Sequence, residues 1–430
     1  MKRFLTLLLC LTMLVSMAAL PATSLAEETV ELTFYYPVGV GGDLALLIEN
    51  LAAEFTKENP NIIINPVFCG NSTETTTKTI AAIQGGNAPD FAILGNSELY
   101  SMLSLEAIIP LDDLIAADPE GQAFVDDFID GFMLDSYVDG SIYSIPFQRS
   151  TMVMFYNKDA FEEVGLDPEA PPTTWGEMVE YAQKLTNENR YGVGIALNSG
   201  SAQWAFTGFS LQNCTNGVGL MSADGKEVYF NTPENIEALQ LWLDLQNKYM
   251  CMAPGIVQWT DLPTQFLAGE VAMIYHTTGN LTNIRNNATF DFGVCFLPAG
   301  RQYGAPTGGG HFYITNGISE ERQKAAWEFI KFCCSTERAA QWSIDTGYVA
   351  TRESCYETQL LKDYYADFPQ ALVAYEQLPY AQPELTTYSA AEMWRILNDN
   401  IQAAVTGEMT AAEALEAAQQ QGDDLLFDYQ

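Results

Sequence analysis

From Val30 onward the chain alternates two hydrophobic rhythms. Val30 to Tyr36 reads Val-Glu-Leu-Thr-Phe-Tyr-Tyr, the apolar–polar alternation of a half-buried strand. Glycines at 39, 41 and 42 interrupt it, and Asp43 stands where it can cap a following helix. Leu44, Leu47, Ile48, Leu51 and Phe55 then recur at helical spacing on one face. Pro60 closes that helix, and Ile62, Ile63, Ile64, Val67 and Phe68 predict a second strand. A helix over 75–84 and a buried strand over 91–94 continue the series. Strand, helix, strand in this order predicts a parallel sheet with crossover helices.

The same alternation restarts after Asp139. A strand is predicted over 153–156, and a helix opens at Asp159. Thr174 and Glu177 are spaced as a capping box before Met178, Val179, Ala182 and Leu185. A strand over 191–197 follows, then a helix opened by Thr232-Pro233 with Ile236, Leu239 and Leu243 inward. Short buried strands are predicted over 271–275 and 292–296, and Ser319 caps a helix running to Cys333. Thr410 and Glu413 repeat the capping-box spacing. No internal repeat, flexible linker or heptad run separates the two series. The chain is therefore expected to cross between two lobes several times, with a hinge rather than a tether.

Composition adds the compartment. Lys2 and Arg3 precede an apolar run from Phe4 to Leu20, Pro21 breaks it, and Ser24-Leu25-Ala26 supplies small residues two apart. That order predicts a secretory signal over 1–26, cleaved after Ala26. Cys10 lies inside the apolar run, so no lipid anchor is expected, and the protein is expected in a periplasm or outside the cell. What remains is too long for one hydrophobic core, and no later segment has membrane-spanning length and apolarity. Asp and Glu outnumber Lys and Arg 55 to 19, giving a net charge of −36. Such a surface repels nucleic acid and anionic lipid, and the even spread of acids marks a solvated surface. Seven cysteines follow the signal: Cys69, Cys214, Cys251, Cys295, Cys333, Cys334 and Cys355. An odd count without CxxC spacing points to buried free thiols, with one Cys214–Cys251 bridge left open.

Catalytic and metal chemistry find little support. Only His276 and His311 are present, without HExxH or a Cys/His cluster, so neither metal nor cofactor is expected. Gly95-Asn96-Ser97-Glu98-Leu99 fails the nucleophile-elbow pattern at its last position. The partial dinucleotide loop at 39–44 has Leu44 where its last glycine belongs, and reads as an ordinary strand-to-helix turn. Asp112-Asp113 and Asp126-Asp127 lack a calcium-loop pattern, and nothing in the sequence brings two acids together for glycoside hydrolysis. Aromatic residues are the stronger signal. Trp204, Trp259, Tyr303 and Tyr348 lie near small polar residues, where flat rings can stack on a sugar while amides and hydroxyls bind its OH groups. Most such rings fill cores, so none carries the argument alone.

A family likeness gathers these signals. Pro146-Phe147-Gln148-Arg149-Ser150-Thr151, followed by Phe155 to Phe161, resembles the extracellular solute-binding proteins of ABC importers, in the group of maltose-binding and glycerol-3-phosphate-binding proteins. Gly85 to Asp90, Thr173-Thr174-Trp175, Gly269 to Met273, Thr277 to Leu281, Gly308-Gly309-Gly310 and Thr346-Gly347-Tyr348 agree in the same order. The resemblance implies an α/β periplasmic-binding-protein fold of two lobes, each a mainly parallel sheet flanked by helices, with ligand held between them. Lobe one is expected over 27–152 plus 295–334, and lobe two over 153–294 plus 335–430. The implied function is capture of a sugar or sugar-like polar solute by hinge closure and its delivery to permease subunits, without catalysis, by a monomer. A ligand-sensing receptor module and a secreted carbohydrate-active enzyme are the alternatives.

The chain looks most similar to the glycerol-3-phosphate-binding branch. The matching ligand-binding positions are Ser150, Trp204, Thr277, Thr278, Gly309 and Tyr348, with threonines where that branch has serine. The departures are Asn96 in place of a Glu, Ser72 in place of a Tyr, and Trp394 in place of an Arg, with Arg395 one position on. An arginine is what would meet a phosphate, so its displacement favours a neutral ligand over a glycerophosphate.

Overall fold

The computed structural model describes residues 29–38, 43–198, 200–215 and 217–429. The expected signal sequence over 1–26 and the glycine-rich turn over 39–42 lie outside the described residues. Strand β1 (Val30–Tyr36) turns Leu32, Phe34 and Tyr36 into the core, as its alternation requires. Helix α1 (Leu44–Glu58) buries Leu44, Ile48, Ala52 and Phe55 against it, although the Asp43 side chain makes no capping bond. Strand β2 (Ile62–Phe68) leads to α2 (Ser72–Gln84), which starts three residues before the expected position. The reason is a reciprocal capping box between Asn71 and Glu74. Strand β3 (Phe91–Gly95) completes the first series.

The second series hangs on a strand that the apolar pattern shows only in part. Strand β4 (Ile145–Asn157) is thirteen residues long and buried throughout, whereas the pattern predicts only 153–156. Gln148, Arg149, Ser150 and Thr151 break its apolar run, yet all four are buried where the two halves of the molecule meet. Helix α3 (Trp175–Leu185) follows, with half the expected capping box: Thr174 accepts from the Glu177 N–H, but the Glu177 carboxylate turns to Thr173. Strand β5 (Tyr191–Gly194) precedes α4 (Ala202–Asn213), a helix absent from the sequence reading. All twelve α4 residues are buried, so it has no polar face to reveal a helical period. Helix α5 (Pro233–Asn247), strands β6 (Val271–Thr277) and β7 (Phe292–Cys295), strand β8 (Ala305–Ile314) and helices α6 (Glu320–Cys333) and α7 (Thr336–Thr346) follow. Strand β9 (Ala381–Pro383) and helices α8 (Ala390–Val405) and α9 (Ala411–Leu426) close the chain, α9 on a complete Thr410–Glu413 capping box.

The strands form one sheet in the order β2-β1-β3-β8-β4-β6-β5, with β9 beside β8 and β7 beside β4. β1 pairs parallel with β2 and β3, and β5 with β6; β4 and β8 enter antiparallel to their neighbours apart from β9. β4 belongs to both halves. Residues Ile145 to Thr151 pair with β8, and Met152 to Tyr156 pair with β6. One core gathers Phe34, Phe55, Phe91, Phe312, Trp327 and Phe329 around the first half. A second gathers Met154, Phe206, Phe209, Trp242, Tyr275 and Leu415 on one face of the other half, and a third holds Val153, Phe155, Phe266 and Ile274 on its opposite face. All seven cysteines from Cys69 onward are free thiols, so Cys214 and Cys251 form no bridge.

Candidate ligand cleft between the two halves

In sheets of this kind a ligand settles beyond the carboxyl ends of the parallel strands. That is where a cleft of about 370 Å³ lies. From the first half, Asn71, Ser72 and Thr73 follow β2, Gly95 ends β3, and Gly308 and Gly309 lie on β8. From the second, Asn198 follows β5, Trp204 lies in the first turn of α4, Thr277 ends β6, and Trp259 and Trp394 close the wall. Ser150 and Tyr348 line it from the junction. A second cavity of about 430 Å³, lined by Leu99, Leu211, Met221 and Leu385 among others, lies behind the Gln382–Thr386 segment. Its lining is mainly aliphatic, and the unpartnered polar groups described below face the first cleft.

Backbone constraints set the floor. Gly309 has φ +116°, and a Cβ there would sit 1.8 Å from the Gln148 carbonyl oxygen. Only glycine permits that approach of β8 to β4. Gly347 ends α7 in the left-handed conformation, where a Cβ would meet the Thr278 carbonyl at 2.7 Å. The turn presents Tyr348, whose ring stacks on Trp342 with a 6.4 Å centroid separation.

The aromatic wall is held rigidly. Trp204 and Trp259 meet edge to face at 5.6 Å. Behind Trp259, the His276 ring stacks at 3.7 Å, and the Trp259 N–H donates to Asn198 Oδ1 at 2.7 Å. His276 Nε2 lies 3.2 Å from the Trp259 carbonyl and Nδ1 lies 3.0 Å from Asn280 Nδ2. These contacts fit the neutral tautomer that donates from Nε2 and accepts at Nδ1. Burial holds its pKa down at about 3. The Trp394 indole donates to the Leu385 carbonyl at 2.7 Å.

Ser72, Ser150, Trp204, Thr277, Gly309, Tyr348 and Trp394, seven positions singled out from the sequence, come together in this cleft. Three others are placed elsewhere. Asn96 is fully buried behind the wall, its amide donating to Asp135 at 2.6 Å. Thr278 is buried with its hydroxyl accepting from the Thr151 N–H. Arg395 is half-exposed on α8, and Glu392 and Asp399 bind its guanidinium. Of the aromatics, Trp259 lines the cleft, while Tyr303 packs on the surface with Phe296 and Tyr380. Gln203 and Glu384 line the cleft without any sequence signal. A glutamine in an unread helix and one acid among 55 could not be told apart from their like.

Below the floor lies a buried charge cluster. Arg149 is fully buried, its Nη2 3.6 Å from Asp135 and its guanidinium over the Phe132 ring at 5.0 Å. Glu384 also acts on Arg149, and Glu98 adjoins Glu384. Burial raises all three carboxyls, Glu98 to about 7 and Glu384 to about 8, with Arg149 pulling Asp135 and Glu384 back down. Burial alone also drives the Arg149 pKa downward, against the attraction of Asp135. Among the described residues, no lysine or arginine lines the cleft, and no cluster of three or more His, Cys, Asp or Glu side chains is placed to hold a metal. No described helix is long and apolar enough to cross a membrane.

A ring-walled polar cleft, assembled from both halves of a sheet that shares a central strand, defines a two-lobed solute-binding protein. The chain belongs to the bacterial extracellular solute-binding proteins, whose family pattern matches residues 50–370. The sn-glycerol-3-phosphate-binding periplasmic protein of Pectobacterium atrosepticum is 30% identical over 93% of this chain and 92% of its own length. Its counterpart in Escherichia coli K12 is 28% identical over 93% of each chain. Among solved structures, the Mycobacterium tuberculosis UgpB complex with glycerophosphocholine superposes with a TM-score of 0.82 at 25% identity, over 93% of this chain and 99% of that one. Maltose-bound MalE3 of T. maritima superposes with a TM-score of 0.79 at 22% identity, over 92% of this chain and the whole of that one. These relatives are binding proteins.

Proposed function

We propose that this protein captures a neutral sugar or sugar-like polyol in the cleft and delivers it to the permease subunits of an ABC importer. The observation that carries the reading is the cleft lining: three tryptophans and a tyrosine beside amides, hydroxyls and one carboxyl, with no cationic side chain. Rings offer apolar faces to stack on, and amides and hydroxyls match sugar OH groups. A phosphate-bearing ligand would call for an arginine or lysine, and Arg395 is already engaged by two acids on the surface.

The proposed moving bodies are residues 27–152 plus 295–334 and residues 153–294 plus 335–430. Separate cores in the two sheet halves support this division in outline, with β4 running through both as a hinge element, although Leu297 and Ala305 pack in the core of the second half and Trp342 and Tyr348 in that of the first. A ligand touching both walls favours the closed arrangement by its extra contacts there. The reading includes export past the cytoplasmic membrane, no lipid anchor and a monomeric state, and it includes no nucleic-acid partner, in keeping with the strong negative charge. It includes no catalysis: a single carboxyl, Glu384, lines the cleft, whereas glycoside hydrolysis generally calls for two.

A thermal-shift panel tests the proposal. Maltose, maltotriose, D-tagatose, glycerol, sn-glycerol 3-phosphate and glycerophosphocholine are each added to the purified protein. A saccharide at one hundred times its Kd is expected to stabilise the fold by about 2.7 kcal/mol, a clear rise in Tm. A rise with the two phosphate compounds and none with any saccharide would contradict the neutral-ligand reading.

A further inference from the structure

The cleft wall contains polar atoms that the protein leaves without partners. Trp204 is nine-tenths buried, and its indole Nε1–H has no acceptor among the described residues. Gln203, beside it in the first turn of α4, has a buried Oε1 with no donor. The Glu384 carboxyl forms no hydrogen bond or short ion pair among the described residues, although its backbone N–H is tied to the Thr307 carbonyl at 3.1 Å. Gly308 shows how these groups converge. An ideal Cβ on Gly308 would lie 2.9 Å from Trp204 Nε1 and 3.2 Å from Glu384 Oε1. The absent side chain is what lets both groups come so close to the β8 backbone and to each other.

The buried indole N–H is left unmatched, which costs free energy in the unliganded protein, and the Glu384 carboxyl faces the cleft beside it. A water-like group placed between them would restore both bonds. The donor and acceptor are fixed differently: Trp204 can only donate, while Glu384 accepts when ionised. The group that suits both is a hydroxyl, whose oxygen accepts from the indole and whose hydrogen points to the carboxyl.

We propose that Trp204 Nε1–H and the Glu384 carboxyl form a paired recognition point above Gly308 that binds one hydroxyl of the ligand. This deepens the cleft reading and rests on it. The pair makes Glu384 a specificity-determining residue, since its carboxyl can bond a hydroxyl in either protonation state. Burial, aided by Asp135 and Glu98 and opposed by Arg149, holds the carboxyl mainly protonated at neutral pH, so the contact can also run with Glu384 as donor. The geometry alone requires only that the site take a group able to bond both ways. Gly308 is part of the same design, because a Cβ there would press on the Trp204 indole.

Isothermal titration of the wild type and of Glu384→Gln, Trp204→Phe and the double variant tests the pair. The probes are maltose, D-tagatose, sn-glycerol 3-phosphate and glycerophosphocholine, all of which carry hydroxyls. Trp204→Phe keeps a ring to stack and removes only the donor. Each single variant is expected to weaken a bound saccharide about tenfold, and the double variant by less than the product, as for two groups holding one atom. Melting curves establish that each variant is folded. A saccharide that binds wild type and both single variants equally within about twofold overturns the pair and leaves the cleft reading intact. Binding of only a phosphate compound, weakened about tenfold by both variants, upholds the hydroxyl site and overturns the neutral-ligand reading. No binding by any probe counts against both.

Discussion

At the scale of single residues, the cleft depends on places where a side chain is missing or a ring is pinned. Gly309→Ala forces a left-handed backbone on a residue with a Cβ, which alone costs about 1–3 kcal/mol. The new methyl would also collide with the Gln148 carbonyl. Urea unfolding is expected to show a loss of at least that size, with affinity falling in parallel; unchanged stability would mean that the β8–β4 approach is not as tight as described. His276 offers a conservative test of ring support. His276→Gln retains a hydrogen-bonding amide but removes the ring stacked on Trp259. It is expected to weaken saccharide binding severalfold in titration calorimetry while the protein stays folded. The residues legible in the sequence were those that carry a family pattern, such as Ser150, Gly309 and Tyr348. Glu384 was not legible, because its meaning comes from what surrounds it.

At the scale of elements, amphipathic segments were readable and uniformly buried ones were not. α1 announces itself by an apolar stripe, α3 by a stripe and a cap, and α9 by its capping box, and each occurs where the pattern puts it. α4 has no such contrast, because β8, α5 and α8 enclose it on all sides, and so Trp204 could not be assigned to a helix. The same reasoning applies to the first half of β4. Its polar residues look like a loop until the second half of the molecule covers them. Trp242 on α5 fixes α4 through edge-to-face contacts with Phe206 at 5.4 Å and Phe209 at 5.3 Å. Trp242→Ala is expected to destabilise the protein by about 3–5 kcal/mol, read as a lowered urea midpoint. A loss below about 1 kcal/mol would show that α4 is held by other contacts.

At the scale of the whole molecule, the two halves share buried ionisable groups as well as strands, and this sets the pH response. Glu98 and Glu384 have folded pKa values raised to about 7 and about 8, above the ordinary 4.5. Their stabilising contribution is complete below about pH 4.5 and is lost as pH rises through those values. His276 runs the other way: its value is depressed from 6.5 to about 3, so stability falls as pH drops across that interval. Burial also pushes His311 well down, adding to the acid-side loss. The Tm is therefore expected to fall between about pH 6.5 and pH 8, and Glu384→Gln should fall less steeply over the same range. Parallel curves for the two proteins would mean that Glu384 titrates normally.

The family fold was legible from ordered motifs spread along most of the chain. The charge cluster under the cleft was not, because Glu384 comes from a distant part of the chain to meet Asp135 and Arg149, and nothing in the local pattern links them. The central claim is that a neutral polyhydroxy solute is held between the aromatic walls of that cleft. Titration calorimetry of maltose, D-tagatose and sn-glycerol 3-phosphate into the wild type and a Trp204→Ala/Trp259→Ala variant tests it most directly. One saccharide is expected to bind the wild type at a single site and to lose at least about 100-fold in affinity in the variant, with no heat from the phosphate compound. Saccharide binding that survives removal of both rings, or binding of glycerol 3-phosphate alone, would contradict the account.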